Sequence, residues 1–259
     1  MAEKTGISWT DSTFNPWIGC TKYGPGCDNC YAEALMDKRW HRVQWGKGKA
    51  RQKTSASNWQ APLVWEKRHE AFALAHGRRR RVFCASLADV FDNEAPAEWR
   101  SDLFQLIYDT PHLDWLILTK RIGNATAMMC EALSSRWRDI GRLPLHNVWL
   151  GATMVNQSEW DRDVRKLLAT EASVRFVSAE PMLGPIRGGL DLHGLDWVIV
   201  GGESGHGARP IAREWADSLR RECEAAGVAF FFKQWGGASA TAGGCALDGH
   251  EVKEWPCAA

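Results

Sequence analysis

Trp197-Val198-Ile199-Val200-Gly201-Gly202-Glu203-Ser204 sets the theme of this chain: a short, continuous apolar run that ends in small and polar residues. Such a run suits a parallel strand covered on both faces, because its side chains alternate between two apolar layers. Five more runs repeat it: Val82-Phe83-Cys84-Ala85-Ser86, Trp115-Leu116-Ile117-Leu118-Thr119, Val148-Trp149-Leu150-Gly151, Val174-Arg175-Phe176-Val177-Ser178 and Val228-Ala229-Phe230-Phe231-Phe232. In chain order the starts lie 33, 33, 26, 23 and 31 residues apart, the length of a strand–helix–strand unit. The segments between them read as helices. In 97–109, Trp99, Leu103, Leu106 and Ile107 share a face behind Pro96. In 212–226, Trp215, Leu219 and Cys223 recur every four residues before a stop at Gly227. With an N-terminal strand around Thr13–Ile18, the pattern predicts an α/β fold over residues 1–236, a partial or complete TIM-like (β/α) barrel. Periodicity leaves a doubly wound open sheet as the competitor. Residues 38–60, polar and basic, and 237–259, rich in Gly and Ala, lack the rhythm and read as an insertion and a C-terminal tail.

The composition agrees with a globular chain. Of 259 residues, 45% are apolar and 24% charged, which excludes a disordered tail, a collagen-like chain and a disulfide mini-protein. No apolar stretch approaches the length of a membrane span, and Met1-Ala2-Glu3-Lys4-Thr5 lacks the apolar core of a signal peptide. A cytoplasmic protein without a membrane partner is expected. The net charge of +1 hides an asymmetry. Residues 1–81 hold fifteen Lys/Arg against seven Asp/Glu, while 82–259 hold seventeen against twenty-four. All seven basic residues from Lys38 to Trp65 lie in Lys38–Lys53, with no acid among them, and Arg78-Arg79-Arg80-Arg81 follows. Such blocks attract phosphates, as in DNA or nucleotides, or form a solvated loop. The fifteen tryptophans outnumber Phe and Tyr together, and most are expected in the core.

In a parallel barrel, chemistry collects at the carboxyl ends of the strands. Here those ends read Ser86-Leu87-Ala88-Asp89, Thr119-Lys120-Arg121, Gly151-Ala152-Thr153, Ser178-Ala179-Glu180-Pro181, Gly201-Gly202-Glu203-Ser204 and Lys233-Gln234-Trp235. One polar residue after a strand is most often a helix cap. Ionisable residues after five of six strands point instead to a common mouth. Gly201-Gly202 admit close approach of a ligand, and Glu203 can accept from an ammonium group. Glu180 and Glu203 can equally pair with Lys120 or Arg121 in a structural ion network.

Gly19-Cys20-Thr21-Lys22-Tyr23-Gly24-Pro25-Gly26-Cys27-Asp28-Asn29-Cys30-Tyr31 is the most informative loop. Eight cysteines in a cytoplasmic chain read as metal or redox chemistry before disulfides, and three fall here within eleven residues. A tetrahedral zinc site wants a fourth protein ligand, so a zinc knuckle needs His41 or a distant cysteine. Three thiolates suit a four-iron cluster better, leaving one iron open to bind another ligand. Cys245 and Cys257 fit no metal spacing and read as surface thiols.

Asn15-Pro16-Trp17-Ile18-Gly19-Cys20, Cys27-Asp28-Asn29-Cys30-Tyr31-Ala32-Glu33, Leu118-Thr119-Lys120-Arg121, Ser178-Ala179-Glu180-Pro181, Gly201-Gly202-Glu203-Ser204-Gly205 and Phe232-Lys233-Gln234-Trp235-Gly236 together resemble a phage-associated family. That family is of unknown function and is related to the radical S-adenosylmethionine (radical SAM) enzymes, spore photoproduct lyase among them. The likeness runs from about Ser8 to Gly236. It implies a barrel of the radical SAM type, a [4Fe–4S] cluster on Cys20, Cys27 and Cys30, S-adenosyl-L-methionine on the open iron, and a flavodoxin- or ferredoxin-type reductant. An electron from the cluster would cleave the sulfonium, and a 5′-deoxyadenosyl radical would abstract hydrogen from the substrate. Tyr31 would then pack on the cofactor, with Ser86, Asp89, Thr119, Arg121, Ser178, Gly201, Gly202 and Glu203 lining it. Lys120, Glu180 and Lys233 are the candidate catalytic residues, and Lys120, Arg121 and Lys233 suit a carboxylate or phosphate.

Three departures stand beside the likeness. The superfamily's common spacing is three then two residues between cysteines, where this chain has six then two. Its Gly-Gly-Glu usually follows the second strand, here the sixth, so binding of the methionine amino group falls equally to Glu203 or to Ser86 and Asp89. Val155 stands where the narrower family pattern carries a glutamate. Phage association and the photoproduct lyase both point to nucleic acid. The expected reaction is modification or rearrangement of a thymine-type base in phage DNA, in the bacterial host's cytoplasm. The alternatives are a zinc-stabilised nucleic-acid-binding protein without catalysis and a radical enzyme acting on a small molecule.

Overall fold

The computed structural model describes residues 3–134, 146–239 and 241–256. Seven strands form one sheet: β1 (Ser12–Thr13), β2 (Arg80–Cys84), β3 (Leu113–Thr119), β4 (Val148–Thr153), β5 (Val174–Ala179), β6 (Trp197–Gly201) and β7 (Ala229–Gln234). Their order across the sheet is their order in the chain. The pairings β1–β2, β2–β3, β5–β6 and β6–β7 are parallel. A doubly wound sheet reverses its order at a switch point, and this one does not. Among the described residues no pairing joins β7 to β1. The fold is therefore α/β on a seven-stranded sheet with the strand order of a partial βα barrel.

All six apolar runs are strands, and burial on both faces is the reason: every residue of β4 and β6 is buried. Among the described residues, six helices of eight residues or more accompany them: α1 (Ala56–Lys67), α2 (His69–His76), α3 (Ala97–Tyr108), α4 (Ile122–Ser134), α5 (Gln157–Leu168) and α6 (Arg213–Ala226). The face expected on α3 buries Leu103, Leu106 and Ile107, and Phe104 beside them. At the start of α5, Asn156 Oδ1 accepts from Glu159 N (3.0 Å) and Glu159 Oε2 accepts from Val155 N (3.0 Å). Val155 is itself buried, so the acid of this turn is Glu159. Gly227 ends α6 at φ 70°, a left-handed position that favours glycine. Trp9, Trp17, Trp65, Trp115, Trp149, Trp160 and Trp197 are buried, as core tryptophans should be.

Two expectations change. The N-terminal strand is split: Ser12–Thr13 pairs with β2, whereas Trp17–Ile18 pairs antiparallel with Gln52–Lys53. Pro16 lies between them and has no N–H to continue the ladder. The basic segment is thereby folded back on the chain's start, with Thr54 Oγ1 donating to Asn15 O (2.8 Å) and Asn58 Nδ2 to the same oxygen (3.0 Å). The tail also has a fixed place. Phe232 N donates to Val252 O (2.8 Å), Glu254 N donates to Phe230 O (3.0 Å), and Phe231 bridges Lys253 antiparallel. This covers the outer edge of β7, which an exposed strand edge requires. Trp255 packs on Trp197 and Phe231, with ring centroids 4.9 and 5.2 Å away. Cys257 lies outside the described residues.

The chain groups into two compact units, residues 1–22, 32–150 and 171–173 in one, residues 23–31, 151–170 and 174–259 in the other. Among the described residues no helix is long and apolar enough to cross a membrane.

Candidate functional site

The first unit carries Cys20. Gly19 turns the chain at φ 112°, and its N–H donates to Leu87 O (3.1 Å) in a parallel bridge beside Ala88. Cys20 is thus set next to the residues that follow β2. Arg121 Nη1 stands 3.5 Å from Cys20 Sγ and donates to Asp89 Oδ2 (3.1 Å), while Nη2 donates to Thr21 O (2.6 Å). Asp89 also accepts from Thr119 Oγ1 (2.7 Å), Phe91 N (3.0 Å) and Lys120 N (3.1 Å). Four donors fill the carboxylate. Asp89, Thr119 and Arg121 are all buried, so the ends of β2 and β3 are joined by one closed network. Burial pushes the Cys20 thiol up to about 12, Asp89 adds to this, and Arg121 pulls the other way. Ser86 Oγ accepts from Asn15 Nδ2 (3.0 Å). The side chain of Lys120 is half-buried and has no hydrogen-bond partner among the described residues.

The second unit carries Cys27 and Cys30. Pro25–Cys27 form a tight 3-10 turn closed by Cys27 N donating to Gly24 O (2.9 Å). Cys27 is buried, Cys30 half-buried, and Tyr31 is 55% exposed. This loop is pinned by Glu203 and Arg209. Asn29 Nδ2 donates to Glu203 Oε2 (2.9 Å). Arg209 donates from Nε to Oε2 (2.9 Å), from Nη2 to Oε1 (2.6 Å) and from its backbone N to Oε2 (2.9 Å). The same guanidinium reaches Asp28 Oδ2 (3.0 Å) and Pro25 O (2.9 Å). Burial of Glu203 works against its ionisation, but the bonds from Arg209 and Asn29 prevail and hold its carboxyl at about 2. The ion partner of Glu203 is therefore Arg209, not the expected Lys120 or Arg121. No motif marked Arg209, because a loop residue six positions on follows no periodicity.

Glu180 likewise has a different partner. Lys233 Nζ lies 3.0 Å from Glu180 Oε1, joining the ends of β5 and β7, and Ser178 Oγ donates to Glu180 Oε2 (3.2 Å). The close approach that Gly201 and Gly202 permit is to the chain itself. A Cβ on Gly201 would stand 2.8 Å from Glu180 Oε1, and one on Gly202 would overlap the Trp235 carbonyl. Thr153 Oγ1, buried at the end of β4, has no hydrogen-bond partner among the described residues. Trp17 is core, beside Trp99, while Trp235 donates from Nε1 to Ala246 O (2.8 Å).

The basic block is partly internal. Arg78 forks onto Asp11 (2.6 and 2.8 Å), Arg79 faces Asp114 (3.7 Å), Arg80 lies over Phe72 (4.3 Å) and Arg81 is buried over Trp149 (5.3 Å). Arg51 is buried between Asp92 (2.7 Å) and Glu94 (2.8 Å), and Lys53 pairs with Asp102 (2.7 Å). Lys38, Arg39, Arg42, Lys47 and Lys49 remain exposed.

Cys20, Cys27 and Cys30 are unbridged, and an N–H donor at a cysteine sulfur is the kind of contact that tunes iron–sulfur ligands. All three offer thiol donors, Cys20 in the first unit and Cys27 and Cys30 in the second. Fold and site together define an α/β protein with the strand order of a partial barrel and a cysteine-bearing loop after its first strand. The chain belongs to the DUF5131 family, proteins of unknown function, whose model matches residues 4–256. Neither a curated protein nor a solved structure matches it.

Proposed function

We propose that this protein is an enzyme of the radical SAM type, with a [4Fe–4S] cluster on Cys20, Cys27 and Cys30 and S-adenosyl-L-methionine on the open iron. Its substrate is a base in phage DNA, modified or rearranged in the host cytoplasm with electrons from a flavodoxin- or ferredoxin-type reductant. The observation that carries the reading is Arg121 Nη1 beside Cys20 Sγ, 3.5 Å apart, the guanidinium buried and the thiol half-buried. A buried guanidinium against a neutral thiol gains little, and against a thiolate it gains a charge-assisted bond.

When bound, the cluster and S-adenosyl-L-methionine supply a 5′-deoxyadenosyl radical for hydrogen abstraction. Around that chemistry Arg121 neutralises the Cys20 thiolate, and Asp89 holds Arg121 and the turn that presents Lys120. Glu203, through Arg209 and Asn29, sets the backbone of the Cys27–Cys30 loop. With Asp89 and Glu203 both filled by donors, Glu180 is the strand-end carboxylate best able to take the methionine ammonium, releasing Lys233 for a carboxylate or phosphate. Exposed Lys38–Lys49 favours a phosphate-bearing substrate.

Anaerobic purification with iron and sulfide analysis, followed by dithionite and S-adenosylmethionine, tests the proposal. About four irons and four sulfides per chain are expected, lost in Cys27→Ala, with release of 5′-deoxyadenosine. Zinc without sulfide, and intact S-adenosylmethionine, would overturn it in favour of a metal-stapled binding protein. Failure to shift DNA at low salt would move the substrate to small molecules.

A further inference from the structure

Glu66, at the end of α1, and His69, at the start of α2, meet His112, the residue before β3. One ligand atom from each lies within 4.8 Å of the others, the one such group of three among the described residues. His69 Nδ1 is 2.8 Å from Glu66 O. A carbonyl only accepts, so Nδ1 carries the proton and Nε2 keeps its lone pair. A backbone carbonyl on one ring nitrogen is the support that metal-binding histidines use. His112 Nδ1 lies 2.5 Å from Glu66 Oε1, and His112 N donates to Glu66 Oε2 (3.2 Å). The two imidazoles stack, 3.8 Å between centroids and 12° between planes.

We propose that Glu66, His69 and His112 bind one zinc-class divalent cation. Two imidazole nitrogens and one carboxylate oxygen suit zinc, and the exposure of His112 leaves the fourth position to water. Donors on a tetrahedral ion stand about 3.3 Å apart. Coordination therefore needs that His112 tilt out of the stack, carry its proton on Nε2 rather than on the Nδ1 that faces Glu66, and open the short contact by about 0.8 Å. Such an open set is the usual one of catalytic zinc, yet the place of the site points to a stapling role. His112 enters β3 at its amino end, opposite Lys120 and Arg121, and residues at that end of a barrel serve stability. The ion staples the corner between α1 and α2, where Arg68 leaves helical geometry at φ −109°, to the start of β3.

The test compares the full chain with His69→Ala, His112→Ala and Glu66→Gln. Each protein is loaded with zinc, dialysed against a weak chelator, and assayed for bound zinc and melting temperature. The wild type should retain one more zinc per chain than each variant. Zinc should raise the melting temperature of the wild type more than that of each variant. Titration should move the imidazole ¹⁵N resonances of His69 and His112 and leave those of His41 and His250 in place. Zinc held on the cysteines would add equally to all four proteins, so the outcome is independent of the cluster proposal. Equal zinc retention and equal melting shifts in all four would overturn the site.

Discussion

Glu203 is a buried carboxylate that stays ionised because it is answered by one guanidinium, one backbone amide and one side-chain amide. Glu203→Gln leaves the Arg209 fork facing a neutral group, and urea unfolding at pH 7 should show a loss of about 2–3 kcal/mol. The sign with pH follows from the depressed carboxyl, about 2 against an ordinary 4.5. Its contribution is complete above 4.5 and disappears as pH falls towards 2. The wild-type and variant stabilities should therefore converge in acid, and curves that stay parallel from pH 7 to pH 2.5 would refute the assignment. Glu203 was legible as a carboxylate at a strand end, yet its partner was not. Nor was the set Glu66, His69 and His112, because 43 residues separate two of its members and only the fold brings them together.

At the scale of elements, the strands that were easiest to read are those with two covered faces. Trp197–Gly201 has no exposed side to write an alternation, so its whole composition is apolar. Trp17–Ile18 and the returning tail were illegible for the opposite reason. Each pairs over two or three residues only, too short to leave a period, and Pro16 interrupts the first. Two substitutions test these pairings. Gly202→Ala sets a methyl against the Trp235 carbonyl, and because both are backbone-fixed the melting transition should drop by the equivalent of about 1–3 kcal/mol. Trp255→Ala uncovers Trp197 and Phe231 and should cost about 2–3 kcal/mol by the same measurement. If Trp255→Ala left the transition unmoved, the tail would be an appendage after all.

Across the whole molecule the N-terminal excess of basic residues divides into two populations. Sequence displays the block but not the distant acids that pair with four of its members, Asp11, Asp92, Glu94, Asp102 and Asp114. If DNA is the substrate, Lys47→Glu with Lys49→Glu should weaken binding across all sequences and flatten its salt dependence by about two contacts' worth. Arg78→Ala should instead lower stability and leave the salt slope unchanged, which a filter-binding series would separate. The strand order has a consequence for biosynthesis. β3 finds its partner 33 residues back (Val82 with Trp115) and β6 finds its own 21 residues back (Phe176 with Trp197), so most of the sheet can be laid down as the chain leaves the ribosome. β1 is the exception, since Ser12 must wait 70 residues for Val82, roughly 4–14 s of translation. During that interval the nascent Cys20, Cys27 and Cys30 have no sheet to rest on.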